Sequence, residues 1–134
     1  MKKLKYIIFL SGILVITAFS CAKYKIEIDP AKAILGKWEI IEMGNWPDLE
    51  PYPATGYIEY LPDSIVRVYE YEKHQFTSQR KYWIDTLLYE YITREDGFQL
   101  TIQYKYQFLD NNKLRLDYVD IAAIFNTFIY KRIN

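Results

Sequence analysis

The chain of 134 residues contains few side chains that could carry out catalysis. Its one histidine is His74, and Ser64 and Ser78 are serines available as nucleophiles. A serine nucleophile needs an adjacent base, yet neither serine lies in a recognisable nucleophile motif. One histidine and one cysteine are also too few to build the usual zinc site. The sequence therefore indicates neither serine nor zinc chemistry.

Two carboxylates, Glu70 and Glu72, lie two residues apart and therefore on the same face of a predicted strand. Paired carboxylates can hydrolyse glycosides, but solvated acidic residues beside a hairpin are commoner. The five glycines are scattered singly, so they form no phosphate-binding loop. We therefore predict that the protein is not an enzyme and uses no cofactor and no metal.

The N-terminal segment has the pattern of a secretory signal peptide. Lys2, Lys3 and Lys5 precede an apolar run of 14 residues that extends from Tyr6 to Phe19. A transmembrane helix needs about 20 such residues, so a permanent span is the weaker interpretation. We assign residues 1–20 to a signal peptide.

Cys21 follows this run and is the only cysteine, so it cannot form an intramolecular disulfide. Ser20-Cys21 resembles the lipobox of bacterial lipoproteins, in which the cysteine carries diacylglycerol and becomes the mature N-terminus. The resemblance implies lipid attachment at Cys21 and anchorage to a membrane of the cell envelope, on the periplasmic or the cell-surface side. Ala18 stands where Leu is usual, and Phe19 stands where a small residue is commoner. The alternative is a free cysteine beside an ordinary cleavage site at 18–20.

The predicted mature chain divides into a short tether, 21–30, and one domain, 31–134. Removal of the signal peptide leaves 14 basic and 17 acidic residues, and this negative balance argues against a nucleic-acid partner. Asp29 and Pro30, with Gly36 as a stop, predict a short helix before the domain proper.

The domain has the pattern of an all-β fold. Apolar and polar residues alternate strictly from Phe98 to Leu109, which places one face of that strand in a core. Short turns separate the other predicted strands, which are Lys37 to Met43, Gly56 to Leu61, Ile65 to Glu72, Arg80 to Ile84, Leu87 to Thr93, Leu114 to Tyr118 and Phe125 to Ile133. About eight strands joined in this way predict a single antiparallel up-and-down barrel. A two-layer sandwich is the alternative.

Gly36-Lys37-Trp38 resembles the Gly-x-Trp signature of lipocalins. Further stretches resemble the small lipocalin-like domains of Gram-negative lipoproteins, namely Gly56 to Asp63, Lys81 to Asp85 and Tyr130 to Arg132. This resemblance covers roughly Ile34 to Ile133 and departs at Ser64, where glycine is usual. It implies a structural role for Gly36 and Trp38, with Trp38 closing one barrel end beneath Arg132 or, less commonly, Lys131.

Aromatic residues supply the candidate binding site, since the chain has 14 Tyr, 7 Phe and 3 Trp. Tyr104 and Tyr106 face the predicted interior, while Trp46 and Tyr52 lie in a proline-stiffened segment at 44–55. The first hypothesis is a carrier of a small apolar or aromatic ligand, with Trp46 and Tyr52 gating the barrel. The alternative is a protein-interaction module, an inhibitor or accessory subunit with a filled barrel, which uses the outer barrel wall or the proline-stiffened segment. For the segment itself, the remaining alternative is a loop that packs on its own barrel.

Overall fold

A computed structural model describes residues 29–134. The predicted signal peptide, Cys21 and most of the predicted tether lie outside the described residues. Within the described range, one helical turn precedes nine strands: α1 (Pro30–Ala33), β1 (Gly36–Asn45), β2 (Asp48–Pro51), β3 (Gly56–Tyr60), β4 (Ile65–Glu70), β5 (Gln75–Ile84), β6 (Leu88–Thr93), β7 (Gln99–Asp110), β8 (Lys113–Tyr118) and β9 (Thr127–Ile133). The helical structure in this range is too short to cross a bilayer.

Eight of the strands form a closed antiparallel barrel. β1 is followed around the wall by β3 to β9 in chain order, and β9 pairs again with β1. Each connection therefore joins neighbouring strands, as in an up-and-down barrel. The prediction of an all-β, single antiparallel barrel is confirmed, and the two-layer sandwich is not formed.

The segment 44–55, predicted as a loop, contains the ninth strand. β1 pairs with β3 along its first residues and, beyond a bulge at 40–42, with β2 along its last residues. Gly44 permits this sharp β1–β2 hairpin, because a Cβ there would lie 2.2 Å from the backbone oxygen of Asp48. The three prolines of the segment therefore do not prevent it from joining the sheet at an edge position.

β5 is longer than its predicted span because it begins at Gln75 rather than at Arg80. Its first residues pair with β4, after a tight turn at 71–74. Positions 75–79 are all exposed, so they carry no alternation of apolar and polar side chains from which a strand could be predicted.

Large side chains fill the interior of the barrel. The fully buried set includes Trp38, Tyr60, Val66, Leu88, Leu114 and Leu116. Aromatic rings pack in edge-to-face and stacked pairs, such as Tyr60 with Tyr82 at 4.9 Å between centroids. An eight-stranded barrel is just wide enough for its side chains to occupy the centre, which is what this packing achieves.

Candidate functional site

The two ends of the barrel differ in how they are sealed. At the end that carries α1, the Trp38 indole nitrogen donates to the Ile34 oxygen at 2.7 Å. The Arg132 guanidinium lies over the Trp38 ring, 4.2 Å from its centroid, and donates to the backbone oxygens of Ala33 and Leu35. Arg132 therefore holds α1 against the barrel and closes this end.

Gly36 makes room for that arrangement. Its φ of +112° suits glycine, and a Cβ at this position would lie 3.0 Å from the nearer guanidinium nitrogen of Arg132. Burial lowers the pKa of Arg132 from its ordinary value. Gly36, Trp38 and Arg132 thus form one structural unit at the closed end.

A buried carboxylate lies in the middle of the barrel, among mainly apolar and aromatic side chains. Glu90 of β6 is 1% exposed. Its two oxygens accept from the Tyr60 hydroxyl at 2.6 Å and from Arg80 Nε at 2.7 Å. Both oxygens therefore have a partner, which is what allows an ionised group to stay inside the protein.

The Arg80–Glu90 ion pair connects β5 to β6. A second guanidinium nitrogen of Arg80 lies 2.6 Å from the same carboxylate oxygen, so the contact is a close ion pair. Burial acts to lower the pKa of Arg80, but Glu90 raises it, and the net pKa is above its ordinary value. Arg80 therefore keeps its positive charge beside the Glu90 carboxylate.

The tyrosines around Glu90 have strongly perturbed pKa values. Burial raises the pKa of Tyr60 well above its usual range, and the negative charge of Glu90 adds to the effect. Burial, followed by Glu90, raises the pKa values of Tyr104 and Tyr130 in the same way. These hydroxyls therefore stay protonated, and that of Tyr60 donates to Glu90.

The β5–β6 ladder stops abruptly beside this ion pair. The paired positions extend from Ile84 with Leu88 to Lys81 with Tyr91, and no further. Arg80 and Ile92, the next residues in register, are not paired with each other. The next hydrogen-bonded pair would join Gln79 to Thr93, but Gln79 pairs only with β4 and Thr93 only with β7. The two strands therefore separate toward the open end, and the Arg80–Glu90 pair is the side-chain link at that point.

The separation leaves a cleft in the barrel wall, which we call the lateral cleft. Its volume is about 510 Å³. It is lined by Ile65, Gln79, Arg80, Lys81, Tyr91, Ile92, Thr93, Gln99, Leu100 and Thr101. The lining contains two cations and no carboxylate, and Leu100 and Tyr91 remain partly exposed there. The lateral cleft thus combines the positive charge of Lys81 with apolar patches, while the charge of Arg80 is paired with Glu90.

The four predicted ligand-binding residues do not come together in one site. Tyr104 is buried and stacks on Tyr118 at 5.1 Å, in the filled centre. Tyr106 donates its hydroxyl to the Asp85 oxygen in the β5–β6 turn, at the closed end. Neither of them lines the lateral cleft.

Trp46 and Tyr52 lie along the β1–β2 hairpin rather than in a lid over the barrel. The Trp46 ring lies 4.0 Å from the guanidinium of Arg115, a residue of β8 that faces away from the core. Arg115 is held by Asp117, with 2.8 Å between the guanidinium and carboxylate groups. Tyr52 is half-buried, and its backbone nitrogen donates to the Ile41 oxygen at 2.8 Å. This segment therefore packs on its own barrel wall.

The residues considered for catalysis lie apart from one another. His74 occupies the β4–β5 turn with a positive φ of 51°, and Ser64 occupies the β3–β4 turn at the opposite end. Ser78 is exposed on β5. The carboxylate of Glu70 binds Lys73 at 2.8 Å. Among residues 29–134, no group of three acidic, histidine or cysteine side chains could hold a metal ion.

The comparisons with known proteins add no family to this description. No family model matches the chain, and no curated protein matches it either.

Proposed function

We propose that this protein is an envelope lipoprotein with a lipocalin-like barrel, and that it acts as a protein-interaction module rather than as a carrier. The sequence supports export and lipid attachment at Cys21, through a basic head, an apolar run and a lipobox-like ending. The lipocalin-like assignment is supported by the closed end, where Arg132 covers Trp38 beneath a short N-terminal helix. No catalytic step is part of the proposal.

The filled interior is the observation that carries the interaction role. A carrier barrel needs a cavity lined by its inward aromatic residues, but here Tyr60, Glu90 and Leu88 occupy the centre. Arg80 enters from the wall and satisfies Glu90. A ligand in this space would have to displace these buried side chains. Separating Arg80 from Glu90 would leave a buried charge without its partner, a change that costs about 3 to 5 kcal/mol in proteins.

The attachment point favours a partner outside the membrane. The described chain begins at Asp29, next to α1 at the closed end, while the lateral cleft opens toward the other end of the wall. The proposed anchor at Cys21 precedes Asp29 by eight residues, which span at most about 28 Å. In this proposal the closed end faces the bilayer, and the cleft faces proteins of the envelope.

A small ligand in the lateral cleft is the second candidate. Its volume of about 510 Å³ falls within the range of known ligand pockets, roughly 300 to 1,000 Å³. Ile92 and Leu100 supply apolar surface there. This candidate keeps the small apolar ligand of the sequence-based hypothesis but moves it from the barrel centre to the wall.

Native mass spectrometry of the full-length protein, purified from its own envelope in mild detergent, tests the proposal. We expect diacylglycerol-derived mass on Cys21 and a co-purifying protein, with a Cys21→Ser variant as the control for lipidation. A bound small molecule without a protein partner would show the carrier role instead. An unlipidated Cys21 would overturn the anchoring part of the proposal.

A further inference from the structure

We infer that the lateral cleft receives an extended peptide segment of the partner protein, which adds as a strand to the free edge of β5. This inference deepens the proposed interaction role and rests on it. Its basis is the direction of the backbone groups in β5 and β6, together with the charge of the cleft lining.

The amides of β5 alternate between its two neighbours. Tyr82 N–H donates to the Ser64 oxygen at 2.9 Å, on the β4 side. Asp85 N–H donates to the Leu87 oxygen at 3.0 Å, on the β6 side. Because successive residues of a strand point their backbone groups to opposite sides, even-numbered residues such as Arg80 face β4. Gln79 therefore presents its N–H and C=O to the cleft.

β6 presents a matching position. The ladder pairs Lys81 with Tyr91, so in β6 the odd-numbered residues face β5. Thr93 accordingly points its backbone groups into the cleft from the opposite wall. Within residues 29–134, neither the backbone of Gln79 nor that of Thr93 has a strand partner across the cleft. Two strand positions thus offer donors and acceptors at one opening.

The free edge is long enough for strand addition. From Gln75 to Arg80, five of the six residues of β5 pair with β4, with a bulge at Thr77, and none of the six pairs with β6. Six extended residues measure roughly 20 Å, the length of an ordinary strand. Unpaired edges of this kind are the templates to which extended peptides bind in other proteins. The backbone therefore specifies the shape of the partner segment.

The side chains around the edge specify its chemistry. Lys81 lies on the outer face of the wall, in the same orientation as Gln79, and the cleft lining holds no acidic residue. Toward the interior, Ile92 and Leu100 provide apolar surface. An added strand places alternate side chains on these two faces. The partner segment is thus an extended peptide whose acidic residues alternate with apolar ones.

The probe that tests this inference is a peptide of about seven residues in which Glu and Val alternate. It is added to the full-length protein in detergent, and amide hydrogen exchange is followed residue by residue. We expect about tenfold or greater slowing of exchange at Gln79, because its N–H becomes hydrogen-bonded. The same peptide with alternate backbone amides methylated should give no slowing. Unchanged exchange at Gln79 overturns the inference.

Two sets of variants separate backbone pairing from nonspecific adhesion. Gln79→Pro removes the cleft-facing N–H and should weaken binding about tenfold, whereas Gln79→Ala keeps it and should bind as the wild type. Lys81→Glu should weaken the Glu–Val peptide and strengthen its Lys–Val counterpart. Circular dichroism of each variant establishes that it is folded. Equal binding by Gln79→Pro and Gln79→Ala contradicts strand addition.

The same exchange measurement on the co-purified complex distinguishes the proposed interaction role from the inferred strand addition to β5. Protection of Gln79 in that complex supports both. A protein partner that leaves Gln79 unprotected overturns strand addition and leaves the interaction role standing. If only a small molecule co-purifies, the interaction role itself is wrong.

Discussion

The closed end and the lateral cleft differ in how far their backbone groups are hydrogen-bonded. At the closed end, Trp38 and Arg132 reach back to the carbonyls of α1 and the residues that follow it, so those oxygens are hydrogen-bonded by side chains. At the lateral cleft, the β5–β6 ladder stops at Lys81, and Gln79 and Thr93 remain open to solvent. Backbone groups are therefore satisfied by side chains at the closed end, whereas those of two strand positions have no strand partner across the lateral cleft.

The largest effect should come from the closed end. Trp38→Ala removes a fully buried indole and its hydrogen bond to Ile34, and should lower the free energy of unfolding by about 3 to 5 kcal/mol. Trp83→Ala is the matched control, because Trp83 is 55% exposed and should cost less than about 1 kcal/mol. Urea unfolding measures both. Similar losses in the two variants would show that Trp38 is not a stabilising plug.

The ion pair between the two regions should have the next largest effect. Glu90→Leu leaves the Arg80 guanidinium uncompensated and should destabilise the fold by about 3 to 4 kcal/mol in urea unfolding. Removing both charges, with Glu90→Leu and Arg80→Met, should recover about 2 kcal/mol or more, because the unpaired charge is gone. A double variant no more stable than the single one would contradict the unpaired charge as the cause.

Proline substitution compares the cleft with a fully paired part of the wall. Val119 N–H donates to the Gln103 oxygen, so Lys105, two residues along β7, also faces β8 inside its ladder. Lys105→Pro should cost about 2 to 3 kcal/mol, because a ladder hydrogen bond is lost and its acceptor is left unsatisfied. Gln79→Pro should cost less than about 1 kcal/mol, because its N–H faces the cleft. Thermal unfolding of the two variants measures the difference, and equal costs would show that the Gln79 position is paired.

The smallest effect concerns alkaline pH. The pKa of Tyr60 is raised in the folded state, so above pH 10 the unfolded chain loses protons that the folded chain keeps. The stabilisation is complete below about pH 10 and declines as the pH rises, by up to about 1.4 kcal/mol per pH unit for one tyrosine. Tyr60→Phe should reduce this slope between about pH 9 and pH 11, with the exposed Tyr91→Phe as the control. A wild-type slope in Tyr60→Phe would refute the assignment.

The alternation of side chains predicts most of the barrel. β7 and β8 show it clearly, and their observed bounds lie within a residue or so of the predicted ones. The start of β5 escapes prediction, because residues 75–79 are exposed on both faces of the strand. β2 also escapes prediction, because Pro51 and its two acidic residues are typical of loops. The hairpin at Gly44 is what brings β2 to the sheet.

The candidate site is much less predictable than the fold. Glu90 alternates in phase with Leu88 and Ile92, and this pattern alone is enough to indicate that its side chain points into the barrel. Its partner Arg80 lies at the start of a predicted strand. No pattern in the sequence indicates that Arg80 and Glu90 form an ion pair. The lateral cleft depends on where a ladder ends, which is a property of strand register and twist rather than of any single residue type. Tyr104 faces inward as predicted, and in a filled barrel that orientation makes it a packing residue.

The early end of the β5–β6 ladder also affects how the wall around the lateral cleft opens under thermal fluctuation. Each local opening costs in proportion to the hydrogen bonds and apolar surface that it disrupts, and this ladder ends after Lys81 while its neighbours continue along their strands. We expect β5 and β6 to separate before β4 and β5 or β6 and β7, with the Arg80–Glu90 ion pair opposing the separation. The boundary between β5 and β6 then opens like a hinge, and one ion pair limits how far the two strands separate.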